Sequence, residues 1–81
     1  MAYFVYILKC RTGHFYTGYT NNIQRRLEEH RQGRASKFTR SRLPIKLVYQ
    51  ERCRSRLNAL RREREIKKMS RLRKIKLFSN E

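Results

Sequence analysis

The chain is expected to fold as an α+β domain, a small and mainly antiparallel three-stranded sheet flanked by helices in the order β-β-α-β-α-α. Three observations predict this. Residues 3–8, Tyr-Phe-Val-Tyr-Ile-Leu, are β-branched and aromatic and apolar on both faces, the pattern of a central strand. Two later segments, starting near Asn21 and Ser55, each open with a capping residue and then space apolar residues at helical intervals. Finally, 81 residues accommodate a single domain, 1–81, with one modest core.

The elements follow in order. After the strand at 3–8, Cys10 to His14 contains Thr12-Gly13 and reads as a hairpin turn, and Phe15 to Tyr19 as the returning strand. With an odd number of connecting residues, Tyr6 and Tyr16 fall on the same face of the sheet. Thr20-Asn21-Asn22 stops this strand, and Asn21 as N-cap with Gln24 at N3 makes a capping-box-like pair. Ile23, Arg26, Leu27 and His30 then lie within about a 100° arc, while Arg25, Glu28 and Glu29 look outward. Gly33 is the expected stop. Residues 33–43 read as a basic polar loop, and Pro44 opens a third strand through Gln50 with Ile45, Leu47 and Tyr49 on one face. Ser55 caps a helix to about Met69, with Ala59, Leu60 and Ile66 on one side and Glu63 in the middle of their arc. Ser70 starts a last short helix carrying Leu72, Ile75 and Phe78.

Charge narrows the function classes. The chain carries 22 Lys+Arg against 6 Asp+Glu, a formal charge of +16, which opposes compaction and draws the protein to polyanions. At 38% hydrophobic residues it is too apolar for a disordered basic tail, so a folded nucleic-acid-binding domain is expected. Candidate nucleic-acid contacts are Arg34, Lys37, Arg40 and Arg42 in the loop, and Arg61, Arg64, Lys67 and Lys68 in the run 61–76, where nine of sixteen residues are basic. The longest apolar run is strand-sized, so no membrane span or secretory signal is expected, and the expected compartment is the cytoplasm, in association with the nucleoid. Cys10 and Cys53 are read as reduced thiols. With His14 and His30 they make four possible zinc ligands, but only one close pair, unlike a structural zinc site.

The chemistry lies in a spaced set of polar residues: Tyr6, Tyr16-Thr17-Gly18, Arg26, His30 and Glu63. An unpaired carboxylate at the centre of an apolar arc costs several kcal/mol, so Glu63 needs a partner such as an arginine or a metal ion. In order, the blocks Phe4-Val5-Tyr6-Ile7-Leu8, Tyr16-Thr17-Gly18, Arg26-Leu27-Glu28-Glu29-His30 and Ala59 to Lys67 resemble those of a GIY-YIG nuclease domain in its small single-domain UPF0213 form. The resemblance covers nearly the whole chain. Taken singly, each residue has an ordinary role: a core tyrosine, a solvated arginine, a glutamate paired with Lys67 one turn away. The shared order across two strands and two helices is what those ordinary roles leave unexplained.

The resemblance implies a GIY-YIG fold and a divalent-metal-dependent endonuclease acting on DNA, in repair or recombination. Tyr6 and Tyr16 would correspond to the half-motif tyrosines, one of them general base to the attacking water. Arg26 would stabilise a phenolate and the charge on phosphorus, and His30 would meet phosphate or water. Glu63 would be the single carboxylate ligand of one Mg²⁺ or Mn²⁺. Phe4 replaces the usual glycine of the first half-motif, and Asn80 matches the family's late asparagine in type, at a longer spacing from Glu63. A catalytically inactive nucleic-acid-binding protein of the same fold is the alternative function, and a basic ribosome-associated factor a third. The expected state is a monomer, with DNA as partner and RNA as a second candidate. Specificity is expected to come from residues 33–43, to come from a partner protein, or to be slight.

Overall fold

The structure, a computed structural model, describes residues 2–79; Asn80 lies outside the described residues. The sheet is formed by β1 (Tyr3–Cys10), β2 (Phe15–Thr20) and β3 (Ile45–Cys53), in the order β2-β1-β3 and antiparallel throughout. Four helices accompany it: α1 (Ile23–Arg31), a single turn α2 (Lys37–Arg40), α3 (Arg56–Lys67) and α4 (Arg71–Phe78). The antiparallel sheet and the β-β-α-β-α-α order are as expected, except that the loop 33–43 contains α2, with Ser36 as its cap.

β1 is covered on both faces, which explains its unbroken apolar run. Val5 and Ile7 face a cluster with Cys53, Ala59 and Ile66, to which Leu77 of α4 adds. Tyr6, Leu8 and Cys10 face the opposite cluster, closed by Ile45, Ile23, Leu27 and Phe38. The molecule is therefore layered, with α3 and α4 on one side of the sheet and α1 and α2 on the other. Cys10 and Cys53 belong to opposite clusters, and both thiols are free. Burying side chains such as Ile7, Leu8 and Ile66 completely contributes about 1.5–3 kcal/mol each.

Several boundaries differ from expectation for local reasons. The cap of α1 is Asn22, whose Oδ1 accepts from Arg25 N at 3.0 Å, while Asn21 Oδ1 accepts from Arg25 Nη2 at 3.0 Å. β1 and β2 run on to Cys10 and Thr20, and β3 to Cys53. In β3, Tyr49 pairs with Ile7 but Leu47 pairs with Leu8, so Val48 is an extra, bulged residue. The bulge turns Tyr49 to the face opposite Ile45 and Leu47, correcting the expected shared face. α3 stops at Lys67 rather than Met69, and Leu72 of α4 is exposed while Leu77 packs inward. Gly33 does follow the end of α1, with φ +75, a left-handed conformation that suits glycine.

Candidate active site

The site forms at the outer edge of β2, where a missing side chain lets the two faces of the sheet communicate. Gly18 pairs with Tyr6 across the strands. A Cβ at Gly18 would stand 2.6 Å from Tyr6 Oη and 2.8 Å from its Cζ, so the phenol occupies the space another residue would fill. Tyr16 pairs with Leu8, two residues along, which sets it diagonal to Tyr6 on the same face. From the α1 side Arg26 reaches the same place, and from the α3 side Glu63 does. Tyr6, Tyr16, Gly18, Arg26 and Glu63 line one open cavity of 370 Å³.

His30 lies behind that cavity. Its Nε2 is 2.9 Å from Tyr6 Oη and its Nδ1 is 2.8 Å from Thr39 Oγ1, and Thr39 Oγ1 in turn donates to Ser36 O at 3.3 Å. A carbonyl only accepts, so the Thr39 proton goes to Ser36. His30 Nδ1–H then donates to Thr39, and Nε2 accepts the Tyr6 O–H. The imidazole is fully buried, so the expectation that His30 meets phosphate or water is corrected: both its nitrogens are committed inside the protein.

The electrostatics agree with this arrangement. Burial, and then the Arg26 charge, push His30 down to about 4, against a partial opposing effect of Glu29. Burial and the neighbouring Tyr16 push the Tyr6 phenol above its ordinary value, while the Arg26 guanidinium works the other way. In the free protein Tyr6 is therefore protonated and His30 neutral. Arg26 Nε stands 3.0 Å from Glu29 Oε1, an ion pair too poorly aligned to satisfy that buried N–H as a hydrogen bond.

Glu63 keeps 13% side-chain exposure, and its Oε2 lies 3.7 Å from Lys67 Nζ, the helical neighbour anticipated from spacing. Among the described residues no three His, Cys, Asp or Glu side chains cluster. One carboxylate in an open polar cavity fits a magnesium-type ion, which commonly uses one or two carboxylates and completes its shell with water and substrate phosphate. Glu63 would hold such an ion.

Sequence reasoning missed the rim. Tyr3, Tyr19, Asn21 and Arg56 also line the cavity, and Arg56 Nη2 is 3.4 Å from Tyr19 Oη. By strand alternation Tyr19 faces away from Tyr16 and Gly18, so only the fold shows that it lines the cavity. None of the basic residues anticipated as nucleic-acid contacts lines this cavity. Arg34, Lys37 and Arg40 are exposed on the α1–α2 side, and Arg61, Arg64, Lys67 and Lys68 on or beside α3, across the sheet. Arg42 lies over the Phe38 ring, 3.9 Å from its centroid.

Phenols, a guanidinium and a carboxylate gathered at the edge of a three-stranded sheet define a nuclease-type domain. Residues 2–76 match the GIY-YIG catalytic domain, and the chain belongs to that family. Within it, the chain is 46% identical over 77 residues to a UPF0213 protein of Staphylococcus saprophyticus, covering 95% of this chain and 94% of that one. It is 46% identical over 79 residues to a UPF0213 protein of Natronomonas pharaonis, with 98% and 93% covered. Among solved structures, the UPF0213 protein of Bacillus halodurans is similar with TM-score 0.60 and 43% identity, over 95% of this chain and 82% of that one. A protein of E. faecalis is similar with TM-score 0.61 and 31% identity, over 100% and 93%. Among the described residues no helix is long and apolar enough to cross a membrane.

Proposed function

We propose that this protein is a divalent-metal-dependent endonuclease that hydrolyses DNA phosphodiester bonds, leaving 5′-phosphate and 3′-hydroxyl ends, and that it serves DNA repair or recombination at the nucleoid. The observation that carries this reading is the convergence of Tyr6, Tyr16, Arg26 and Glu63, from β1, β2, α1 and α3, on one open cavity in a domain of charge +16. A protein that merely coats nucleic acid has no use for two phenols and a carboxylate in a recess.

In this reading the phosphodiester enters the cavity with Arg26 beside it, where the guanidinium fork meets phosphate oxygens and the charge that develops on them. Tyr6 has its O–H committed to His30, so the cavity side of its oxygen offers a lone pair to the attacking water. As water oxygen bonds to phosphorus, its proton passes to Tyr6 Oη, and the Tyr6 proton passes to His30 Nε2. The 3′ oxygen departs and takes a proton from solvent, and His30 returns its own by the same path. Tyr6 thus acts as a base without standing as a free phenolate, which burial opposes. Tyr16 borders the same cavity and orients the water. A metal ion on Glu63 would polarise the phosphoryl oxygen and lower the charge barrier to attack.

Glu63→Gln tests the reading. It removes the carboxylate and one negative charge from a cationic surface, so cleavage of plasmid DNA with Mg²⁺ or Mn²⁺ should vanish while DNA binding holds or tightens. Cleavage at the wild-type rate would reduce Glu63 to a helix ion-pair residue. Wild-type protein that binds DNA and cuts none under any of these ions would favour a binding protein of the same fold.

A further inference from the structure

Cations are concentrated along the outer edge of β2, a strand with no neighbour beyond it. At the Tyr19 end, Arg56 Nη2 lies 3.4 Å from Tyr19 Oη on the rim of the main cavity. Midway, Lys67 and Lys74 border a second hollow of 210 Å³, with Tyr16 common to both recesses. At the hairpin end Arg71 lies over the Phe15 ring, 4.4 Å from its centroid, and its Nη1 donates to Gly13 O at 2.8 Å. Since Arg71 covers Phe15 and Arg42 covers Phe38, this edge presents cations rather than open ring faces. Among the described residues, Glu63 is the only carboxylate lining either recess or the small hollow at the hairpin turn. Helix α4, Arg-Leu-Arg-Lys-Ile-Lys-Leu-Phe, contains none. The opposite edge differs: Glu51 of β3 holds Arg62 at 3.0 Å, and Glu65 stands 3.6 Å from the same guanidinium.

We propose that this edge is the path of the DNA backbone: one strand runs along β2, with Arg56 on one side of the phosphodiester in the main cavity and Lys67, Lys74 and Arg71 on the other. The inference rests on the nuclease reading only for which phosphodiester occupies the cavity. β2 rises about 3.4 Å per residue, so the five steps from Phe15 to Thr20 cover about 17 Å. One DNA strand presents about five phosphates over such a length. Arg26 and the four cations of the edge are the groups that meet them. Two of these arginines are already steadied, Arg56 by a phenol and Arg71 by a ring and a carbonyl. Their remaining N–H donors are held ready for phosphate oxygens, and less side-chain freedom is lost on binding. Charge favours this edge over β3, where Glu51 and Glu65 would repel a phosphate. The exposed cations Arg34, Lys37 and Arg40 lie on the α1–α2 side and fall outside the path.

The test is metal-free binding of the full chain to a short fluorescent DNA duplex over a range of salt. Each phosphate contact removed should flatten the slope of log affinity against log salt by about 0.9. Between about 50 and 200 mM salt, that difference amounts to about 3.5-fold in affinity per contact. Arg56→Gln and Lys74→Gln should each show it, and the double variant should lose about 1.8 from the slope. Arg71→Gln should behave like Lys74→Gln; should loss of the Phe15 stack unfold it, Lys74→Gln carries that end of the path. Arg31→Gln controls for charge alone, since Arg31 lies on α1 beside Glu28, and its slope should match wild type. In amide NMR spectra, DNA should move the signals of Phe15–Thr20 and Arg71–Phe78 and spare those of Ile45–Cys53. The path is overturned if Arg56→Gln or Lys74→Gln keeps the wild-type slope, if Arg31→Gln flattens it as much, or if the β3 amides move instead. DNA cleavage with those slopes unaltered would sink the path and leave the nuclease reading. Flattened slopes without cleavage under Mg²⁺ or Mn²⁺ would do the reverse.

Discussion

The two faces of the sheet are built on different principles. Against α3 and α4, β1 turns Val5 and Ile7 into an apolar cluster with Ala59 and Ile66, with no buried charge among those four. Against α1 and α2, the same strand turns Tyr6 toward a buried imidazole and a buried threonine hydroxyl, joined by hydrogen bonds of 2.9 and 2.8 Å. Packing on the first face stabilises the fold by area and tolerates small shifts. The second face adds to its own apolar cluster a chain of directional bonds that fixes the direction of one O–H. Changes on the first face should therefore appear in stability, and changes around the second in chemistry. Glu63 belongs to the helix of the first face but looks past the β2 edge into the site, so it should behave as a member of the second.

The largest expected break in that comparison is at Arg26. A guanidinium that meets phosphate while flanking Tyr6 supplies several donors in one plane, which an ammonium cannot imitate. Arg26→Lys should cost about 3–4 kcal/mol of transition-state stabilisation, two to three decades in single-turnover cleavage, with little change in melting temperature. Arg25→Lys, exposed one position earlier, is the control and should stay near the wild-type rate. Equal rates for Arg26→Lys and wild type would make Arg26 a solvated helix residue paired with Glu29.

Next comes Ile66, fully buried on the apolar face. Ile66→Ala should lower unfolding free energy by about 2–5 kcal/mol, mostly by loss of burial and by the cavity left behind. Under conditions where the variant remains folded, its cleavage rate should stay within a few-fold of wild type. A variant of normal stability and lost activity would mean that the two faces do not divide the work in this way.

The division between faces was only partly legible in the sequence. β1 was, because a run covered on both sides shows no alternation at all. Glu63 was also legible, because a carboxylate amid apolar helical neighbours contradicts its surroundings. The bulge at Val48 was hidden, since Leu47, Val48 and Tyr49 are all suited to burial and either register satisfies the pattern. α2 was hidden because four residues, Lys37 to Arg40, are too few to show a period. Thr39 gave no local signal either: its partner His30 lies nine residues away in another helix, and only the fold makes them neighbours. The cap shift from Asn21 to Asn22 reflects two adjacent residues of equal aptitude, between which the neighbouring Thr20 decides by remaining in β2.

The smallest effect, and the most specific to the polar face, concerns pH. Burial holds His30 neutral with its pKa down at about 4, against 6.5 when unfolded. Between those values the unfolded chain binds a proton that the folded one does not. Stability from this group is therefore complete above pH 6.5 and is lost as pH falls toward 4. From pH 8 to pH 5 the loss should be about 2 kcal/mol. Other groups titrate in the same range, so the useful quantity is the difference between wild type and His30→Gln, which has no proton to gain. Denaturant unfolding of both proteins at pH 8, 6.5 and 5 should show the wild type losing more stability on acidification, with the curves converging toward the acid end. Parallel curves would mean that His30 is reached by solvent or rotates to keep its proton. The assigned tautomer would then fail, and with it the passage of the Tyr6 proton to Nε2. A steeper wild-type curve accompanied by a matching acid limb in single-turnover cleavage would tie the same imidazole to the chemistry, since a protonated His30 has no lone pair to receive that proton.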